Sequence, residues 1–148
     1  MRSNQKAFTL IEALIALVIT GMIYLLFAPT FIKLYDCIKL NQAISMLQSD
    51  LHYVRENNML PLQGSTLSLR IYHKQNYYLI LQNGSKTKLK RELPQSVSIP
   101  ANVNMTDITF NNLGHVASGK TFIIQSEYFK KNLVFSIGTG GIDIRDAN

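Results

Sequence analysis

"KAFTLIEALIALVITGMIYLLFA", residues 6 to 28, decides how the rest of the chain is read. From Phe8 to Ala28 the only charge is Glu12. As a helix rising about 1.5 Å per residue, this run spans roughly 31 Å, the thickness of a bilayer's hydrocarbon core. A cleaved secretory signal has a shorter apolar region and small residues at positions −3 and −1 of the cut; a cut after Ala28 would put Leu26 at −3. The run therefore reads as a membrane anchor. Arg2 and Lys6 precede it, which predicts a cytoplasmic start and a C-terminal body outside, although Lys33 and Lys39 beyond the run reduce the asymmetry. A carboxylate in hydrocarbon is costly unless something pairs with it, which makes Glu12 a candidate functional residue.

Beyond Pro29 the pattern becomes amphipathic. Leu40, Ile44, Leu47, Leu51 and Val54 recur at steps of four and three, while Asn41, Gln42, Ser45, Gln48, Ser49, Asp50 and Arg55 fill the other faces. Asn57 and Asn58 followed by Pro61 supply a stop, so one helix is expected from about Phe8 to Asn57, bending at Pro29 where a backbone N–H is missing. After Pro61 the period changes to two. Strands are expected over 66–73, 76–81, 86–93, 107–110, 120–129, 132–138 and 141–146, with turns at Lys74-Gln75, at "QNGS" and near Gly114, Lys131 and Gly140. The fold class is α+β: a long N-terminal helix, transmembrane and then amphipathic, packed by its stripe on one side of an antiparallel sheet. The expected divisions are a leader (1–7), a membrane segment (8–28), the amphipathic continuation of the helix (29–58) and a β-rich domain (59–148).

The chain has 148 residues and a formal charge of +6, and without Arg2 and Lys6 it keeps 13 basic against 9 acidic groups. That mild excess lacks the dense patch of a nucleic-acid binder. Cys37 is the only cysteine, so no internal disulfide forms; it is a packing residue or a handle for an intermolecular bond. His52, His73 and His115 stand apart from other ligand-type residues, and no serine or cysteine nucleophile has a recognisable setting, so no metal, cofactor or catalytic site is indicated.

One motif misleads. "GHVASGKT", Gly114 to Thr121, matches the phosphate-loop pattern G-x-x-x-x-G-K-[ST], which works because the loop opens into a helix that brings its N-terminal dipole to the anion. Here "TFIIQSEYF" follows, β-branched and aromatic, and it favours a strand; the segment reads as a hairpin with Lys120 in solvent. In "KTKLKR", strand alternation would set Lys86, Lys88 and Lys90 on one face beside Arg91. That row either touches DNA phosphates, with Tyr72, Tyr77 and Tyr78 as stacking aromatics, or guards a sheet edge.

A short basic leader, a small residue, F-T-L-x-E and a long apolar run resemble the class III signal of type IV pilins and pseudopilins: Ala7-Phe8-Thr9-Leu10-Ile11-Glu12. The resemblance implies cleavage between Ala7 and Phe8 by a prepilin peptidase and N-methylation of Phe8. Glu12 becomes the fifth mature residue, a subunit-assembly group paired with the Phe8 amine of an adjacent subunit, and Pro29 falls where many pilins bend. Ala7 stands where the family usually has Gly. "FNNLGHVASGKTFII", 110 to 124, and "VFSIGTGGIDI", 134 to 144, resemble the ending of H-type minor pseudopilins, particularly the competence subunits of Gram-positive bacteria. Residues 60 to 105 carry no such match. The implied protein is a minor pseudopilin of a competence pilus that supports DNA uptake. It is expected to be single-pass in the cell membrane and at the cell surface when assembled. Its implied partners are major and minor pseudopilins and the prepilin peptidase, with the assembly ATPase and membrane platform acting indirectly. A secretion pseudopilus subunit, or a membrane-anchored DNA receptor using Lys86, Lys88, Lys90 and Arg91, are the alternatives.

Overall fold

The computed structural model describes residues 9–60, 64–116, 119–136 and 140–147. Helix α1 runs from Leu10 to Met59 through Pro29 without interruption, two residues past the expected stop. Seven strands follow: β1 (Leu67–Tyr72), β2 (Tyr77–Gln82), β3 (Lys86–Glu92), β4 (Met105–Thr109), β5 (Thr121–Gln125), β6 (Lys130–Phe135) and β7 (Ile142–Asp146). Two compact units divide between Tyr35 and Asp36. Among the described residues the first holds Thr9 and the start of α1, and every described side chain in it is exposed.

The second unit has one core. Leu40, Ile44, Leu47, Leu51 and Val54 are buried as the periodicity requires, together with Leu69, Ile71, Tyr78, Ile80 and Ile108 from the first sheet and Phe122, Ile124, Leu133 and Phe135 from the second. Asp50, assigned from its spacing to a solvent face, is buried as well.

The expectation of one sheet is corrected to two, both antiparallel: four strands in the order β3-β2-β1-β4, and three in the order β5-β6-β7. The chain leaves β4 into a tight turn, with Gly114 N–H donating to Asn111 O and Asn111 N–H to His115 O, and Phe110 bridges Val116. β5 then starts a separate sheet. The expected strand 120–129 stops at Gln125, because Ser126 N–H donates to Phe129 O (2.8 Å) and closes a turn; Lys131 lies inside β6 rather than at a turn. Between β2 and β3, Asn83 and Gly84 both have positive φ (51° and 73°), the conformation of a two-residue hairpin turn.

Candidate functional site: the exposed start of the helix

The site is built from what α1 leaves uncovered. From Leu10 to Ile38 the large apolar side chains are exposed, Leu10 at 87% and Leu17 at 75%, whereas Leu40 and Leu47 are at 0%. An 18-residue window of the helix has mean hydropathy 2.4, and none of it is buried. A helix apolar on all sides and exposed along its described side chains has the surface of a membrane span or an intermolecular core.

Glu12 sits at the start of this surface, and within the chain it has a partner that the sequence reading missed. Thr9 N–H donates to Glu12 Oε2 (2.9 Å), Thr9 Oγ1–H donates to the same oxygen (2.8 Å), and Glu12 N–H donates to Thr9 Oγ1 (3.4 Å). This is a reciprocal capping box, with Thr9 as N-cap and Glu12 three residues on; it satisfies helix N–H groups that have no acceptor in the turn before. The signal was the T-x-x-E spacing itself. Glu12 Oε1 takes no part in these bonds, so the cap leaves acceptor capacity for a second donor. Further along, Thr20 Oγ1–H donates to Ala16 O (2.8 Å), which removes a bare hydroxyl from the apolar surface. Ala7 and Phe8 lie outside the described residues. Pro29 lies within the helix.

The basic strand is not the row that alternation predicted. A bulge between Ile80 and Leu81 leaves Lys88 opposite neither, so the lysines do not share a face. Lys88 Nζ meets Tyr53 Oη of α1, while Lys90 lies over the Tyr77 ring (4.7 Å) on the other side of the sheet and binds Glu92 (2.8 Å). That bond lowers the Glu92 pKa and raises that of Lys90. Arg91 faces the helix and contacts Asp50 at 3.3 Å. Lys86 opens the strand, exposed. Tyr78, a candidate stacking residue, is buried and donates its hydroxyl to Asp50 (2.7 Å). Burial first, then Asp50, pushes its pKa far above the ordinary tyrosine range. On the outer face Tyr72 and Tyr77 stack on each other (4.7 Å), and Arg70 is held by both carboxylate oxygens of Asp107 (2.6 and 2.8 Å). Two cations and two anions leave that face without net charge.

The phosphate-loop lookalike leads into strand β5, not a helix. Its first glycine has a packing task. Gly114 has φ +74°, its carbonyl accepts from Arg55 Nε (3.1 Å), and a Cβ on Gly140 would come within 1.8 Å of that carbonyl oxygen. Arg55 and the two glycines thus fasten the last turns of α1 to two late loops. Asn58 does the same for the sheet: its amide donates to Leu67 O and Phe110 O and accepts from Leu67 N–H, at 2.7 to 3.0 Å. The Asn57-Asn58 pair, a stop signal by its sequence, therefore also anchors the sheet.

His73 bonds Ile99 O and Thr106 Oγ1, and His52 is exposed. Cys37 is half-buried with Asn41 Nδ2 at 3.5 Å. Among the described residues no three His, Cys, Asp or Glu side chains come together.

Comparison with known proteins agrees with this geometry. Residues 2–23 match the family model of the prokaryotic N-terminal methylation motif. The competence protein ComGD of Bacillus subtilis (strain 168) is 22% identical over 142 residues, 96% of this chain and 94% of that protein. The crystal structure of the type IV minor pilin FimU of Pseudomonas aeruginosa (strain PAO1) superposes with a TM-score of 0.55 at 19% identity, covering 71% of this chain and 91% of that one. The chain thus begins with the prokaryotic N-terminal methylation motif, is similar over nearly its whole length to a competence protein, and has the fold seen in a type IV minor pilin.

Proposed function

We propose that this chain is a minor pseudopilin of a competence pilus. A prepilin peptidase cuts between Ala7 and Phe8, Phe8 is N-methylated, and the subunit enters the pilus through the helix that follows, in support of DNA uptake. The observation that carries this reading is the apolar half of α1, exposed from Leu10 to Ile38 with Glu12 at its start. In the membrane precursor this surface meets lipid, with the N-terminus cytoplasmic and the β-rich unit outside. In the pilus it meets the same helices of neighbouring subunits. Once Lys6 is removed with the leader, the amine of Phe8 on an adjacent chain is the cation that fits the remaining acceptor of Glu12, and pairing them compensates two groups that are costly in hydrocarbon. The resemblance to ComGD supports competence over secretion as the setting. A role as a DNA receptor through β3 is disfavoured, because Lys88, Lys90 and Arg91 each hold a partner inside the chain.

The test is Glu12→Leu in the producing cells. Leader removal, read by mass spectrometry as a methylated N-terminal Phe8, should persist, while transformation falls to background. Normal transformation in that strain, or a mature terminus elsewhere, overturns the reading.

A further inference from the structure

The edges of the two sheets are not treated alike. β3 is charged at five of its seven positions and bulged, and β7 carries Asp143, Arg145 and Asp146, devices that keep an edge from pairing. The other two edges lack them. β5 has no charge, and the one charge of β4, Asp107, is neutralised by Arg70. Between these two strands lies an open groove of about 460 Å³, with Pro100, Ala101, Val103 and Thr106 on one side and Lys120 to Ile123 on the other.

The direction of the main-chain groups follows from two bonds. His73 N–H donates to Asn104 O just before β4, and Phe135 N–H donates to Lys120 O just before β5. Counting by twos along each antiparallel ladder, the N–H and C=O groups of Met105 and Asp107, and of Thr121 and Ile123, point away from β1 and β6, while the end of β4 is covered by the bridge between Phe110 and Val116. None of these groups has a partner among the described residues. Gln125, next in the same series on β5, already exchanges both bonds with Ser98 (2.8 and 2.9 Å), so this edge does accept an extended chain.

The geometry points to a strand slot: an extended segment of a neighbouring pilin-like subunit lies between β4 and β5, bonded to both edges through its main chain, with a carboxylate side chain against Lys120. Only a polypeptide strand offers alternating donors and acceptors on both sides at the spacing of a sheet. The acid is assigned by charge, since Lys120 is exposed and has no ion-pair partner among the described residues. Ala101, Val103 and Ile123 favour small apolar side chains at the alternate positions. The assignment of the partner rests on the function proposed above.

A photocrosslinking residue at Val103 of the full-length chain, in the producing cells, tests it. The expected adduct maps to alternate residues of one extended segment in a pilin-like subunit. Ile123→Pro removes an N–H that β6 does not use, which an edge strand tolerates, and Lys120→Glu reverses the charge. Each should lower the adduct by about tenfold, as expected for losing one or two such bonds, with the thermal midpoint unchanged. An adduct with lipid, with DNA or with a helical segment, no adduct, or one indifferent to Ile123→Pro overturns the slot. These variants leave Glu12 in place, so failure of the slot and failure of the Glu12 reading show up in different strains.

Discussion

Along α1 one backbone carries two opposite surfaces. Before Ile38 leucine and isoleucine point in every direction and stay exposed; after Leu40 the same residue types keep to one stripe and are fully buried. The second region finds its partner, two sheets, inside the chain. In the first, the described large apolar side chains stay exposed. Hydrophobicity alone separates these regions poorly; its distribution around the helix separates them well.

That contrast can be broken by substitution. The largest effect is expected at Leu47, where Leu47→Ala leaves a cavity under both sheets and should cost about 2–5 kcal/mol in denaturant unfolding of the detergent-solubilised chain. Leu17→Ala, at an exposed position, should leave that unfolding unchanged, and an equal loss at both sites would erase the distinction between the halves. Next comes Asn58→Ala, which strips partners from Leu67 N–H and from two buried carbonyls and should cost about 3 kcal/mol by the same measurement. Gly140→Ala forces a side chain onto Gly114 O and into a left-handed backbone conformation; a loss of about 1–3 kcal/mol is expected, read as a lowered thermal midpoint.

Tyr78→Phe is a smaller change, about 1 kcal/mol, since Asp50 keeps Arg91. The same tyrosine sharpens the picture under alkali. Its pKa is raised in the folded state, so its contribution is complete below the ordinary tyrosine value of about 10 and is lost as pH climbs beyond it. Ultraviolet titration should show Tyr78 still protonated well above the ordinary tyrosine value, and its ionisation at that value would contradict the burial. The smallest expected effect on the folded body is that of Thr9→Val. It removes the cap at the far end of the helix, worth about 1 kcal/mol to local helicity, without moving the melting of the β-rich unit.

Much of this was legible in the residues. Periodicity of 3.6 and then of 2 marked the helix and the strands, because those signals come from which face is buried. The division into two sheets was not legible, since it depends on the turn at Gly114 and on which edges meet at a distance in sequence. The polar groups were misread for a related reason. Asp50 looks solvent-facing and Asn58 like a stop signal until Tyr78, Arg91 and Phe110, far along the chain, are brought to them. A single extra residue in β3, at the bulge, was enough to dissolve a row of lysines that strict alternation had placed together. At the helix start, the motif brought attention to Glu12 but hid its nearer partner, Thr9.

The fastenings of α1 also have a mechanical meaning. Its packed part runs from Asp36 to Asn58, about 34 Å of helix at 1.5 Å per residue, and its last two turns hold Arg55 to Gly114 and Asn58 to both Leu67 and Phe110. Tension applied along α1 is therefore expected to load these contacts together rather than one after another. The expected signature in a single-molecule pulling experiment from Leu10 is one abrupt rupture rather than a staircase, with its force lowered by Asn58→Ala. A handle inserted at β7 should peel its sheet at lower force, because edge strands release their bonds in sequence.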